Sequence, residues 1–185
     1  ASIQAHGRDS THGVIYLAPP ETPDANQLFG WLLTCVKLYA DRTKQGAVFA
    51  SRVAFRLAND QGPEPDIAFI RTEHLDRVKR SHVEGPPDFV MEIVAPDSVE
   101  RDYYLKRARY EEYGVPEYWI IDDWERKITL FQRKEGKYRP ARLRKGKLHS
   151  SILHGFSLQP ESLWQESLPD ELEMVLEILA KQPPP

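Results

Sequence analysis

The sequence predicts an α/β protein with a mixed central β-sheet flanked by helices. Three observations carry that expectation. Two short apolar runs, Phe89–Val94 and residues 118–121, have the length and composition of buried strands. Between them, residues 98–113 read as a helix that Gly114 stops, so residues 89–122 have the form of a strand–helix–strand crossover. Upstream, residues 24–44 carry Leu28, Trp31, Leu32, Cys35, Val36 and Tyr39 at helical spacing. A crossover joins parallel neighbours, so part of the sheet is expected to be parallel.

The other elements follow in order. Residues 1–12 are polar and are expected to be loose. Residues 14–17 form a short strand closed by Pro19 and Pro20. Thr22 or Asp24 caps the long helix, and Gly46 ends it. Residues 48–57 alternate in part, through Val48, Phe49, Val53, Phe55 and Leu57, as a strand does. Asn59, Asp60, Gln61 and Gly62 make a turn, residues 67–70 a second strand, and residues 74–80 a short charged helix. Residues 128–131 read as the hairpin partner of residues 118–122, and Tyr138 and residues 148–153 as further strands. In the last helix, residues 167–182, Ser167 and Asp170 have capping-box spacing. The expected organisation is a single domain over residues 1–185, with a core at 14–165 and a C-terminal helix at 167–182.

Apolar residues make up 41% of the chain and charged residues 29%, which excludes a wholly disordered protein. No apolar run approaches the roughly 20 residues that span a bilayer, so no membrane partner is expected. No charged-then-apolar leader opens the sequence, so no signal peptide is expected. Cys35 is the single cysteine; it excludes an intrachain disulfide and fits a reducing, cytoplasmic setting. Its apolar neighbours make it a buried thiol rather than a nucleophile. The net charge of −3 conceals an asymmetry. Eight basic residues, Arg133, Lys134, Lys137, Arg139, Arg142, Arg144, Lys145 and Lys147, stand in one short segment with a single acid, Glu135. That segment is either a phosphate-facing edge or a solvated hairpin.

Glu92 interrupts an otherwise apolar strand. By alternation Val90, Glu92 and Val94 share one face, and Phe89, Met91 and Ile93 the other. Burying an unpaired carboxylate is costly, so a metal ion or a lysine is the expected partner. Asp66, after Pro65, opens the apolar run 67–70. Alone it reads as a turn residue or local cap. With Glu92 on a second strand it makes the kind of carboxylate pair that binds magnesium together with water and phosphate oxygens. A phosphodiester hydrolase uses such an ion to activate water and offset charge developing on phosphorus. Lys106 lies on the helix that follows. From spacing alone it is surface decoration, paired with Asp102 at i, i+4 for about 0.2–0.5 kcal/mol. Glu117 has either a supporting or a structural role, and Asp122 and Asp123 read as strand-end turn residues. His74, His82, His149 and His154 lack the spacing of zinc ligands, and no glycine-rich nucleotide loop occurs.

Several runs, in order, resemble a known family. Residues 87–98, Pro87-Asp88-Phe89-Val90-Met91-Glu92-Ile93-Val94-Ala95-Pro96-Asp97-Ser98, are similar to its PDLVVEVLSPS pattern. Asp102, Lys106, Tyr110 and then Gly114-Val115-Pro116-Glu117-Tyr118-Trp119-Ile120-Ile121-Asp122 resemble its D…K…Y…GVPEYWLVD. Pro65-Asp66-Ile67-Ala68-Phe69-Ile70 resembles its PDVAFV, and His154-Gly155-Phe156-Ser157-Leu158 its LPGFSL. These mark the bacterial Uma-two family of putative restriction endonucleases, in the PD-(D/E)xK superfamily. The resemblance runs from about residue 14 to 165.

The resemblance implies a restriction-endonuclease-like core and metal-dependent phosphodiester cleavage. It places the family's PD carboxylate at Asp66 and its central acid at Glu92. Val94 stands where the superfamily's lysine would be, and Lys106 takes that role from the following helix. The Ile93 backbone carbonyl is a further implied ligand. The early glutamate of many members, in a YELIDG-like pattern, has its nearest match at residues 8–13, where Asp9 is the candidate substitute. Asp97 stands where the family commonly has serine.

The expectation is therefore a metal-dependent endonuclease acting on nucleic acid, in the first place DNA, with Mg²⁺ or Mn²⁺. Asp66, Glu92 and the Ile93 carbonyl would hold the ion, and Lys106 would orient the attacking water. Asp102, Glu117 and Asp9 would support the site, and the basic segment 133–147 would meet phosphates. A homodimer is expected if the Leu172, Val175, Leu176 and Leu179 face pairs rather than packs down. Two alternatives stand beside this: an inactive nucleic-acid-binding protein with the same fold, and an interaction module unrelated to nucleic acid. The second predicts Glu92 neutralised by an ordinary side-chain pair.

Overall fold

A computed structural model describes residues 8–11, 14–17, 22–94 and 98–181, the first two stretches by backbone alone. In chain order the elements are β1 (Arg8–Thr11), β2 (Val14–Leu17), α1 (Pro23–Thr43), β3 (Gly46–Ala50), β4 (Phe55–Arg56), β5 (Gln61–Gly62), β6 (Ile67–Arg71), a 3₁₀ turn (Thr72–Arg77), β7 (Val83–Glu84) and β8 (Phe89–Val94). A π-helical stretch (Arg101–Lys106) leads into α2 (Arg107–Glu112). Then come β9 (Glu117–Asp122), β10 (Lys127–Lys134), β11 (Lys137–Pro140), β12 (Leu148–His149), β13 (Ser157–Leu158), a 3₁₀ turn (Pro160–Trp164) and α3 (Glu171–Ala180).

The centre is a six-stranded sheet in the order β11-β10-β9-β8-β6-β3. Only the β8–β9 pair within it is parallel, with Glu92 opposite Ile120 and Val94 opposite Asp122. The pairs β3–β6, β6–β8, β9–β10 and β10–β11 are antiparallel. The mixed sheet thus rests on the one crossover that the apolar runs 89–94 and 118–121 announce.

Local chemistry explains α1. Thr22 is the cap, its Oγ1 accepting from the Ala25 N–H at 3.2 Å, and Pro23 supplies a pre-set first helical residue. The helix ends on Lys44, which takes a left-handed φ of 54°. Gly46, expected as the stop, instead begins β3. A side chain there would collide with the Ile70 carbonyl oxygen and the Phe69 ring, so glycine permits the close β3–β6 approach. One sheet face packs against α1 and α3, burying Trp31, Leu32, Val36, Met91, Trp119 and Ile121 among others. The opposite face carries Val90, Val94, Tyr118 and Ile120 beneath Tyr110 of α2 and Tyr138 of β11.

Four further expectations are corrected. Residues 8–11, read as loose, form a strand whose backbone pairs with both β2 and β5. The 48–57 strand breaks where Arg52 takes a φ of 75°, and Phe55 turns into a separate cluster with Ala68, Ile70 and Val83. The charged helix at 74–80 is a 3₁₀ turn ending at Arg77. In α3 the cap is Asp170 itself, accepting from the Glu173 N–H at 2.8 Å, and the helix starts at Glu171. Its apolar face divides: Val175 and Ile178 are buried, while Leu172 and Leu176 are close to half exposed. No helix among the described residues is long and apolar enough to cross a membrane. Residues 95–97, with Asp97, lie outside the described residues.

Candidate active site

Three elements meet at the C-terminal end of the parallel β8–β9 pair. β6 brings Asp66. Ile67 pairs with Met91, and continuing that antiparallel register by one residue sets Asp66 beside Glu92. β8 brings Glu92, on the same face as Val90 and Val94, as alternation requires. The π-helical stretch brings Asp102 and Lys106, both buried rather than on the surface. π-helical turns are rare and recur at functional sites, because the extra residue re-aims neighbouring side chains.

The contacts are close. Lys106 Nζ lies 2.9 Å from Glu92 Oε2 and 3.2 Å from Asp102 Oδ1. The Tyr110 hydroxyl donates to Glu92 Oε1 at 2.8 Å, and the Asp66 N–H to Glu92 Oε2 at 3.3 Å. Asp66 Oδ2 accepts from the Ile93 N–H at 2.8 Å. Ser98 Oγ donates to Asp102 Oδ2 at 2.5 Å, and Tyr118 OH to the Asp102 carbonyl at 2.9 Å. Arg101 Nε stands 3.6 Å from Asp102 Oδ1 on the outer side. The i, i+4 pair of Asp102 and Lys106 therefore exists, but as one edge of a buried network.

Electrostatics follow from this crowding. Burial pushes the Glu92 carboxyl up, to about 8; Lys106 opposes the rise, and Asp66 and Asp102 add to it. Burial likewise raises Asp66, against the pull of Lys106 and the Ile93 N–H. For Lys106 burial works against the charge, but Glu92, Asp102 and Asp66 outweigh it and hold the ammonium protonated well above the ordinary lysine range. Three carboxyls thus surround one enclosed ammonium, with the Arg101 guanidinium beside Asp102.

A cleft of about 1090 Å³ opens onto the cluster. Asp66, Ile93, Asp102 and Lys106 line it, whereas Glu92 is fully buried beneath its floor. Walls come from the start of α1, from residues 163–168 and from the β9–β10 turn. Ligand sites commonly form outside the carboxyl ends of parallel strands, as here.

The donor set fits a hard divalent cation. Its candidate ligands are carboxylate and carbonyl oxygens, and magnesium is held by one or two carboxylates with water and phosphate completing the shell. No group of three or more His, Cys, Asp or Glu suited to hold a metal ion occurs among the described residues, so an all-protein cage is not available there.

The remaining expected residues sit elsewhere. Glu117 is fully buried and held by Trp119 Nε1, Ser150 Oγ, Ser151 N–H and Oγ, and Gln132 Nε2, at the opposite end of β9. It staples the 150–151 turn to the sheet and does not line the cleft, which corrects the reading of it as site support. The backbone of Asp9 is placed in β1, and its side chain lies outside the described residues. None of Arg133, Lys134, Lys137, Arg139, Arg142, Arg144, Lys145 and Lys147 lines the cleft. The β10–β11 hairpin turns at the Glu117 end of β9, and there Lys137 pairs with Glu111 at 3.3 Å. Asp88 of Pro87-Asp88 is structural, accepting from the Arg71 N–H at 2.9 Å and contacting the His74 ring. Tyr110 was readable only as a family position; its helical spacing gives no sign that its hydroxyl reaches Glu92.

The model of the Uma2 family, described as "Putative restriction endonuclease", matches residues 9–161, and the chain belongs to that family. A crystal structure of a putative nuclease belonging to DUF820 from Anabaena variabilis has the same fold. Its TM-score is 0.70 at 14% identity, and the match covers 85% of this chain and 89% of that one. No curated protein matches the chain in sequence. Family and fold together define a restriction-endonuclease-like nuclease of the α/β class.

Proposed function

We propose that the protein is a metal-dependent endonuclease that hydrolyses phosphodiester bonds, with DNA as its first expected substrate. One observation supports this most: Asp66 and Lys106 line an open cleft, and both reach Glu92 just beneath its floor, Asp66 through its backbone N–H and Lys106 through its ammonium. Asp66, Glu92 and the Ile93 carbonyl would hold Mg²⁺ or Mn²⁺, which supplies Lewis acidity and water activation when bound. Lys106 keeps its proton and presents positive charge toward the cleft, where a phosphate gains charge in the transition state. Asp102, itself anchored by Ser98, positions the Lys106 ammonium. Tyr110 fixes the Glu92 carboxylate. The basic segment 133–147 serves as an outlying contact for longer nucleic acid. A homodimer, which would offer one site per strand of a duplex, has Leu172 and Leu176 as exposed apolar residues on α3, and light scattering on the purified protein tests it.

A second reading draws on the same contacts. Both Glu92 oxygens already accept from protein donors, which is what an interaction module without metal chemistry predicts. Incubation of plasmid and single-stranded DNA with Mg²⁺ or Mn²⁺ separates the two, using native protein, Glu92→Ala and an EDTA control. Metal-dependent nicking that disappears in the variant is the expected result. Cleavage that survives Glu92→Ala, or none with either metal, rejects this site.

A further inference from the structure

The β9–β10 turn carries an aromatic side chain that the cleavage chemistry leaves unused. Trp124 is 77% exposed, yet it lines the same cleft as Asp66 and Lys106. A lone exposed aromatic on an open surface needs no explanation; one that lines a cleft together with candidate site residues is a candidate contact. Its turn is firmly built. Asp122 Oδ1 accepts from the Glu125 N–H at 2.9 Å, and Oδ2 from the Tyr103 hydroxyl at 3.0 Å. Arg126 closes the turn with a left-handed φ of 48°. Because Asp122 lies opposite Val94, the turn leaves the sheet beside the end of the strand that carries Glu92.

Two more rings, Phe29 and Trp164, line the cleft, together with the guanidinium groups of Arg101 and Arg126. The Trp164 indole N–H is buried with no hydrogen-bond partner among the described residues. Rings interleaved with a few cations suit an unpaired nucleotide strand, whose bases stack without sequence preference while its phosphates meet the cations. A duplex keeps its base faces inside the stack and is bound chiefly through its phosphates. With five acidic residues against three basic ones along the cleft, phosphate contacts alone are weak for either form, and base stacking has to carry more of the binding. Depth points the same way. Lys106 is only 7% exposed and Glu92 not at all, so a scissile phosphate must descend into the cleft. The bases beside it then have to leave a stack or lack one already. The cleft volume is on the scale of a small-ligand site of about 300–1,000 Å³ rather than a duplex-wide channel.

We propose that Trp124, with Arg101 and Arg126, forms a binding site for an unpaired stretch of nucleic acid strand. The strand offered to Asp66 and Lys106 is then single or locally opened, not intact duplex. This rests on the nuclease reading and adds the substrate class.

The test uses the full chain with Ca²⁺ in place of Mg²⁺ and fluorescence anisotropy of labelled oligo-dT, oligo-rU and a DNA duplex of equal length. Probe integrity is checked on a gel. The native protein should bind unpaired strands more tightly than duplex. Trp124→Ala should weaken binding of the unpaired strand about tenfold and Trp124→Phe less than about threefold, since stacking survives in the latter. Duplex binding should not change. The dT and rU arms show whether DNA, RNA or both enter. Equal loss on unpaired and paired probes, no loss at all, or a native preference for duplex overturns the proposal. Metal-dependent cleavage together with binding indifferent to Trp124 leaves the nuclease standing and rejects only this site. Trp124-dependent strand binding without cleavage rejects the nuclease and keeps the site.

Discussion

Glu92 on β8 and Glu117 on β9 are both fully buried, on adjacent parallel strands and three residue pairs apart. Their surroundings differ in kind. Glu117 is met by five neutral donors from Trp119, Gln132, Ser150 and Ser151, which spread its charge over fixed hydrogen bonds. Glu92 is met by an ammonium, a phenol and one backbone N–H; burial pushes its carboxyl up, and nearby Asp66 and Asp102 add to the rise. A buried carboxylate is therefore no sign of function in itself. The sign is like-charged company beside an open cleft, which neutral donors cannot satisfy and a cation can.

The strongest way to break the comparison is to exchange charge for shape. Glu92→Gln should lower metal-dependent cleavage by more than roughly 100-fold, the upper range for losing a mere outer partner of a metal site. Glu117→Gln should leave cleavage per folded molecule within about twofold, as expected of a substitution remote from the reacting atoms. Similar losses in both would show that the two glutamates do not differ as described. Stability should reverse the order. Glu117→Ala strands several buried donors, each costing about 1–3 kcal/mol, and should lower the unfolding free energy by about 3 kcal/mol or more, read as a lower urea midpoint. An unchanged midpoint would mean that the 150–151 turn holds without it.

A smaller effect is expected at Tyr110. Tyr110→Phe removes the bond to Glu92 Oε1 and should reduce cleavage about tenfold at a stability cost of about 1 kcal/mol. Cleavage at the native rate would make the hydroxyl a packing detail.

The mildest test is thermal. In the folded protein the Glu92 carboxyl lies near 8, above its ordinary value of 4.5, and Asp66 is raised too. Below about 4.5 both the folded and unfolded states hold the Glu92 proton. Above that pH the unfolded chain releases it while the folded protein retains it, so stability falls as pH rises toward 8. Metal-free protein should melt about 2–4 °C lower at pH 8 than at pH 5 for each kcal/mol involved. Mg²⁺ should recover more of the loss at pH 8, because its ligands must be deprotonated. A melting temperature that rises across this range in EDTA would contradict the assignment.

Much of this was open to a reader of the chain alone, for local reasons. Thr22, Pro23 and the helical spacing from Leu28 to Tyr39 specify α1, since capping and periodicity act within a few residues. The runs at 89–94 and 118–121, with a helix between, dictate a parallel pair because a crossover permits little else. Alternation alone puts Glu92 between two valines, and the family motifs single out Asp66 and Lys106.

Other features depend on which distant segments meet. That Lys106 is buried rather than exposed follows from a π-helical turn, an energetic compromise invisible in residue spacing. That Glu117 is held by neutral donors while Glu92 meets Lys106 beside a cleft depends on Ser150 and Ser151 folding back onto one end of β9 while the cleft opens at the other. The eight basic residues between 133 and 147 look like one phosphate-binding surface in linear order, yet the β10–β11 register carries their hairpin away from the cleft. Phe29, Trp124 and Trp164 lie far apart in sequence and line one cleft only because the sheet brings its strand ends, α1 and the 160–168 segment together. Periodicity and capping act between near neighbours, so sequence determines the elements; contacts between remote side chains depend on register and packing, and tertiary structure decides them.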